Sequence, residues 1–372
     1  MKKILKIITL ALLAVACLIT AVACSPDDDG SGEKGLLCKD IGGVYTVYKY
    51  VDDGSKEKVL DIGAELGNDV FDVKIKKDAF SGNDTIEEII VPASVTAIDE
   101  GAFAGMKSLK KITLPFVGAS ADAVENARTL GYLFGTSEYD GGSLINTTYK
   151  KDSTEKRYMP STLRTVVINA TDGYKVPMYA FSGCVNLTTI QLVGGITEIG
   201  EYAFSGCINL SSTNVPETVS VICKGAYNGC SALSVDLINN ATTLTQIGES
   251  AFEGAKLENV VLAENVKIGN KAFYNSTVKT VALKGAVEIK ASAFANCVKL
   301  TAVTLDNVSN GIIEQFAFQG AIKLNQVGAT EGAIDIKGFS TVENLAFADI
   351  FEDSTKINVL SNGLDHNLIF GW

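Results

Sequence analysis

Eight cysteines and a single histidine are the side chains with the most chemistry to offer in this 372-residue chain. In an exported protein such a cysteine count points to a disulfide framework. The spacing argues otherwise. Cys184, Cys207 and Cys230 recur every 23 residues, and Cys297 follows Phe294 as Cys184 follows Phe181. Equivalent side chains on stacked repeats point the same way, which sets their β-carbons about 4.7–5 Å apart, wider than the mean of about 3.8 Å in a disulfide. These thiols are therefore read as free, buried and acting as small hydrophobes. Cys38 and Cys223 have no obvious mates. No cysteine pair has ligand spacing and one histidine is too few to help, so no metal site is expected. His366 lies near the C-terminus in the expected end cap, and nothing nearby suggests the placement by two other groups in a cleft that a Ser-His-Asp or Cys-His mechanism needs. Glu87 and Glu88 are the carboxylate pair that acid–base chemistry would use, but they fall at adjacent exposed strand positions. No glycine-rich phosphate loop precedes a helix. The chain reads as non-catalytic, without cofactor or metal.

What keeps the cysteines in line is a repeat. An Ala-Phe or Ala-Tyr pair returns ten times, with its aromatics at Phe80, Phe103, Phe181, Phe204, Tyr227, Phe252, Phe273, Phe294, Phe318 and Phe347. Seven of the nine intervals lie within two residues of 23, and such a period marks a solenoid whose repeats bury their apolar faces on one another. After each aromatic comes Leu or Val, then Ile or Val three residues on, then an apolar residue two further, as in Leu109/Ile112/Leu114, Leu163/Val166/Ile168 and Leu300/Val303/Leu305. The last two members stand at strand period. A second apolar segment, such as Val95 to Ile98 or Val219 to Ile222, leads back to the next aromatic. Gly in Phe-x-Gly permits the tight return with positive φ.

The run Ile199-Gly-Glu-Tyr-Ala203-Phe204-Ser-Gly-Cys207-Ile-Asn-Leu210, repeated from Val73 to about Phe347, resembles the BspA-like class of bacterial leucine-rich repeats. Tyr227 replaces Phe, Ala255 stands at a Cys position, and Cys223, Lys290 and Glu314 stand at the Gly position after Ile. The resemblance implies a mostly β leucine-rich repeat solenoid, a right-handed arc of short parallel strands with irregular or short helical returns. It also implies a cell-surface protein of adhesion or host-protein binding.

Residues 1–23 read as a signal peptide, with Lys2, Lys3 and Lys6 before an apolar run from Ile7 through Val22. Ala21-Val22-Ala23-Cys24 resembles a lipobox, and Cys24 is preferred over Cys17 because a solvated Ser-Pro-Asp-Asp-Asp-Gly tether succeeds it. That acidic stretch resembles an export signal of surface lipoproteins in some Gram-negative anaerobes, and its plain alternative is a flexible linker. The expected location is the bacterial outer membrane, facing outward. Removing 1–23 takes three lysines and no acids, so the formal charge of −11 becomes −14. Such a body is expected to be held at a membrane by lipid alone, and the absence of clustered Lys and Arg excludes a nucleic-acid role.

The expected organisation is a signal peptide (1–23), an acidic tether (24–35), and an N-terminal cap with a degenerate first repeat (36–76). Repeats then run over 77–350, interrupted by an insertion at about 116–162, before a C-terminal cap (351–372). Outward strand positions offer Lys110, Lys111, Arg164, Thr188, Gln191, Ser212 and Asn214 to a partner, or are ordinary soluble residues. The 78 residues between Phe103 and Phe181 have room for about three periods. Within them Thr136 to Pro160 reads as a polar inserted loop carrying Tyr139, Tyr149 and Tyr158, which either meet a partner or pack the loop down. On that reading the loop is removable with little effect on stability. The functional expectation is a monomeric, lipid-anchored surface protein binding a macromolecule such as a host extracellular protein. The alternative is a carbohydrate-capturing lipoprotein of a nutrient-uptake system.

Overall fold

The computed structural model describes residues 34–52, 58–67, 72–233, 237–350, 358–361, 363 and 365–371. Cys24, the signal peptide and nearly all of the tether lie outside the described residues.

The Leu-x-x-Ile-x-Leu segments form the rungs of a first parallel ladder. Val59–Asp61, Glu88–Ile90, Lys111–Leu114, Thr165–Ala170, Thr189–Gly194 and Ser212–Thr213 make one six-stranded sheet. A second six-stranded sheet begins at Asn259–Glu264 and continues through Thr280–Lys284 and Ala302–Asp306. Register advances by one repeat per rung: Ile112 lies beside Ile89 and Val166, and Val166 beside Ile190. All four are fully buried, while the residues between them face out.

The segment after each turn builds a second ladder. Its main sheet has eight strands, beginning Lys175–Val176, Glu198–Ile199, Val221–Ile222, Gln246–Ile247 and Lys267–Ile268. Gly200, Gly248 and Gly269 come directly after the inward Ile because an added β-carbon there would come within 2.5–2.7 Å of the preceding rung's backbone. Lys290, Glu314 and Glu343 depart from this, and their charges are put to use. The Glu314 carboxylate accepts from Lys290 Nζ at 2.7 Å and from Ala291 N at 3.0 Å, and that of Glu343 accepts from Gln315 N at 2.9 Å.

The Ala-Phe turns form the third side. From Phe181 to Phe347 consecutive rings stack at 4.7–5.3 Å with planes within 14°. That spacing equals the distance between hydrogen-bonded strands, so the rings are a side-chain copy of the backbone ladder. The backbone keeps the same pitch: Phe181 N donates to Ala203 O, Phe204 N to Ala226 O and Tyr227 N to Ala251 O. Only a small side chain fits beside the ring, which explains the buried Ala. The Phe-x-Gly glycines have φ of 67–75°, and where Gly is missing the position is taken by Asn275, Asn296 or Asp349, residues that tolerate this region.

Both ends extend the stack. Tyr50, on the antiparallel pair Gly35–Ile41 and Val44–Val51, lies 6.1 Å from Phe80, and Phe370, on the helix His366–Phe370, lies 5.6 Å from Phe347. His366 sits in this cap with Nε2 at 2.8 Å from the Ser361 hydroxyl.

The gap between Phe103 and Phe181 holds two turns rather than three. Phe134 supplies the next ring, 6.3 Å from Phe103 and tilted by 48°, and Phe103 N donates to Leu133 O as in a regular turn. The short 3-10 helices Glu125–Arg128 and Leu130–Phe134 form that turn's return. The chain beyond Phe134 is a hairpin and not a loop, with Gly142–Lys150 paired antiparallel to Ser153–Pro160. Its inward face carries Ile145, Thr147, Arg157 and Met159, each at most 2% exposed. The expectation of a polar loop is corrected here, because an alternating set with an arginine in it reads as polar until the arginine is seen to be buried.

Candidate functional site

The outer face of the first ladder and the adjoining hairpin hold all the partner-contact residues read from the sequence. At the N-terminal end the face is organised by ion pairs between rungs. Glu87 accepts from Lys58 at 2.6 Å and from Lys110 at 2.7 Å, one lysine from each neighbouring repeat. Hydrogen bonds from Lys110 and then Lys58 hold its carboxyl below the ordinary value. Lys111 pairs with Glu88 at 2.8 Å. The Glu87-Glu88 pair is thus occupied by lysines.

Arg164 is exposed on the next rung, and its Nη1 is held by Ser161 O at 2.6 Å and Leu163 O at 3.0 Å. Beyond it the face becomes uncharged. Thr188 is half-buried, Gln191 and Ser212 are exposed, and hydroxyls here reach back one rung, as Ser211 Oγ does to Thr188 O at 3.3 Å. Asn214 serves the fold, since its carboxamide donates to Leu192 O and accepts from Leu192 N, each at 2.8 Å. It takes the place of a strand backbone where the Ser212–Thr213 rung is too short to pair.

The three tyrosines divide. Tyr139 packs into the base of the hairpin, its ring so close to Gly142 that a β-carbon there would meet it at 3.1 Å. Its hydroxyl is buried, which raises its pKa well above the ordinary value. Tyr149 is half-buried, with Lys150 Nζ 5.6 Å from its ring and its carbonyl accepting from Arg128 at 2.6 Å. Tyr158 faces outward opposite Leu144, which is 46% exposed. Sequence reasoning missed what docks the hairpin. Arg157, wholly buried, pairs with Glu155 at 2.6 Å and with Glu100, and lies 5.6 Å from the Tyr132 ring. The signal was Arg157 at the same parity as Met159, opposite Ile145. The half-buried Tyr179–Tyr202 stack at 5.2 Å was also missed.

The cysteine ladder is structural. Cys184, Cys207, Cys230 and Cys297 are buried free thiols. Cys207 Sγ donates to Phe181 O at 3.1 Å, Cys230 Sγ to Phe204 O at 3.2 Å and Cys297 Sγ to Phe273 O at 3.0 Å, so each tethers its turn to the ring residue one repeat back. Burial pushes Cys184 and Cys230 up to about 12 and Cys297 to about 11, away from nucleophilic chemistry. Half-buried Cys223 is raised to about 11 by burial and by nearby Glu198. Cys38 corrects the sequence reading, since it is disulfide-bonded. Among the described residues no group of His, Cys, Asp and Glu has the arrangement of a metal site.

The model of the BspA type leucine rich repeat region matches residues 73–124, 154–279 and 245–362 in six copies. The chain belongs to this repeat family. The matched residues hold most of both ladders and the ring stack from Phe80 to Phe103 and from Phe181 to Phe347. The interval left between the first two matches contains the 3-10 returns and much of the hairpin. A leucine-rich repeat protein from Bacteroides ovatus shares 16% identity over 88% of this chain and 90% of its own, with a TM-score of 0.37. A leucine rich cell surface protein from Faecalibacterium prausnitzii also shares 16% identity, over 94% and 99%, with a TM-score of 0.31. A leucine rich repeat protein of T. pallidum shares 22% identity over 60% and 90%, with a TM-score of 0.35. The comparison with curated proteins gives no match.

Proposed function

We propose that this is a non-catalytic binding protein displayed on a bacterial outer membrane, held there by lipid on Cys24, and engaging another protein through the outer face of the first ladder and the hairpin. The observation that carries the reading is the face itself. Successive parallel rungs place short polar side chains in register on a surface whose backbone is already hydrogen bonded. Such a surface loses little side-chain entropy on contact. The BspA-type repeat supports a role in protein interaction. A host extracellular protein is the partner favoured, bound by a monomer. Among the described residues no helix is long and apolar enough to cross a membrane, and the proposed anchor is the N-terminal lipid.

Labelled palmitate is expected to enter the full chain in cells and to disappear in Cys24→Ala, and protease added to intact cells is expected to degrade the protein. The purified protein is then offered to an array of extracellular proteins and glycans. Capture of proteins supports the reading; capture of glycans alone transfers the protein to the carbohydrate-uptake alternative. Palmitate retained in Cys24→Ala refutes the anchor.

A further inference from the structure

The chain has three arginines, Arg128, Arg157 and Arg164, all within the stretch that departs from the regular repeat. Two are committed internally. Arg157 is wholly buried against Glu100 and Glu155, and Arg128 is half-buried, giving Nη2 to Tyr149 O. Arg164 alone faces outward, and among the described residues it makes no ion pair. Its Nη1 is fixed by two main-chain carbonyls, so the guanidinium is oriented with its remaining N–H groups still to be used. A planar, pre-oriented guanidinium recognises a carboxylate with two parallel hydrogen bonds.

The surroundings have the same sign. Arg164 N donates to Lys110 O, so the two residues sit on adjacent rungs. Lys58 and Lys110 share the one carboxylate of Glu87, which leaves that triad with one positive charge. On the other side the next two rungs, at Thr188 to Gln191 and Ser211 to Asn214, carry no acid. In a chain whose formal charge is −11, this is a place where an anionic segment meets cations that, among the described residues, outnumber the acids paired with them, and then neutral hydroxyls and amides.

We infer that Arg164 anchors a carboxylate of an acidic protein segment laid across the outer face of the first ladder. The inference rests on the protein-binding reading above and names the partner's chemistry. Glu87 is its counterpart: by holding Lys58 and Lys110 it limits how much negative charge the face attracts.

The test uses the purified full chain and a fluorescein-labelled peptide of alternating glutamate and serine, with its glutamine counterpart as control, monitored by fluorescence anisotropy. The glutamate peptide is expected to bind and the glutamine peptide not, with binding weakening as salt is raised. Arg164→Gln is expected to lower the affinity by about tenfold, as for loss of a charge-assisted pair. Arg164→Lys is expected to restore only part, and Glu87→Gln to raise the affinity by freeing two lysines. Lys267→Gln, on the second ladder, is the control expected to change nothing. Equal binding of both peptides, no binding of either, or an unchanged affinity in Arg164→Gln overturns the inference. So does a uronic-acid oligosaccharide that binds more tightly than the peptide. Capture of an array protein equally by wild type and Arg164→Gln leaves the protein-binding reading standing and removes only the acidic-partner assignment.

Discussion

Tyr227→Phe removes one oxygen atom and is expected to stabilise the protein. Tyr227 occupies a ring position otherwise held by Phe, 4.7 Å from Phe204 and 5.2 Å from Phe252 with planes within 9°. It is fully buried, and among the described residues its hydroxyl has no hydrogen-bond partner. A buried polar group left unpaired costs about 1–3 kcal/mol. Against that stands the small void left by the oxygen, on the order of 0.5 kcal/mol at about 24 cal/mol per Å3. The net is a gain of about 0.5–2.5 kcal/mol. Repeat arrays unfold with limited cooperativity, so the assay is a urea titration read by two probes, far-ultraviolet circular dichroism and the solvent exposure of Cys207 and Cys230, which stand in the turn before the ring and in the ring's own turn. The mirror variant Phe204→Tyr places a hydroxyl at the neighbouring level and is expected to lose stability. If Tyr227→Phe is destabilising, the hydroxyl has a partner, such as an ordered water, and the accounting of this core is wrong.

Phe204→Ala is expected to cost about 3–5 kcal/mol in the same titration, because it empties a ring site stacked on both sides. Cys207→Ala is expected to cost about 1 kcal/mol, losing the bond to Phe181 O while keeping a residue type that Ala255 shows the site accepts. The buried thiols also set an alkaline limit. Their folded pKa values lie above the reference of 9.0, so their contribution is intact below pH 9 and is lost as pH rises towards 11–12. Melting temperatures measured across that window are expected to fall less steeply for Cys184→Ala than for wild type, and identical slopes count against the linkage. Arg157→Ala is expected to cost about 2–5 kcal/mol, chiefly by emptying a wholly buried site, since the carboxylates it leaves, Glu100 and Glu155, are partly exposed, with Arg157→Met much milder; replacing 136–160 by a short Gly-Ser bridge is expected to destabilise as well. Melting curves that match wild type for Arg157→Ala and the bridged variant would show that the hairpin is an ornament.

The repeat was legible because its cause is periodic. Ile112, Val166 and Ile190 must point inward at every rung, and Phe181, Phe204 and Tyr227 must meet ring to ring, so one packing solution is written many times over. The strand ladders, the free thiols and the outward placement of Lys110, Arg164, Gln191 and Ser212 all derive from it. The hairpin is written once. Its inward face depends on Arg157 finding Glu100, fifty-seven positions away in the chain, and such a long-range pairing leaves no local pattern. Asn214 is similar, since an exposed asparagine shows its role only when Leu192 is seen to be short of a backbone partner. Tyr139 was read as a contact residue because its ring is large and its neighbours polar, yet the ring is turned against Gly142.

The hairpin also divides the molecule along its length. Among the described residues the ring stack runs from Tyr50 to Phe134 and again from Phe181 to Phe370, with no ring contact joining the two series. The second ladder stops at Val95–Ile98 and restarts at Lys175–Val176, while the first ladder crosses through Lys111–Leu114 beside Thr165–Ala170 and the turn side crosses through Leu130 N donating to Ala180 O. The hairpin is therefore a clasp between two unequal ring columns: Arg157 reaches Glu100 beside the shorter one, and Met159 meets Cys184 beside the longer one at 3.9 Å. Loosening it is expected to weaken the coupling between the columns while each keeps its own stack.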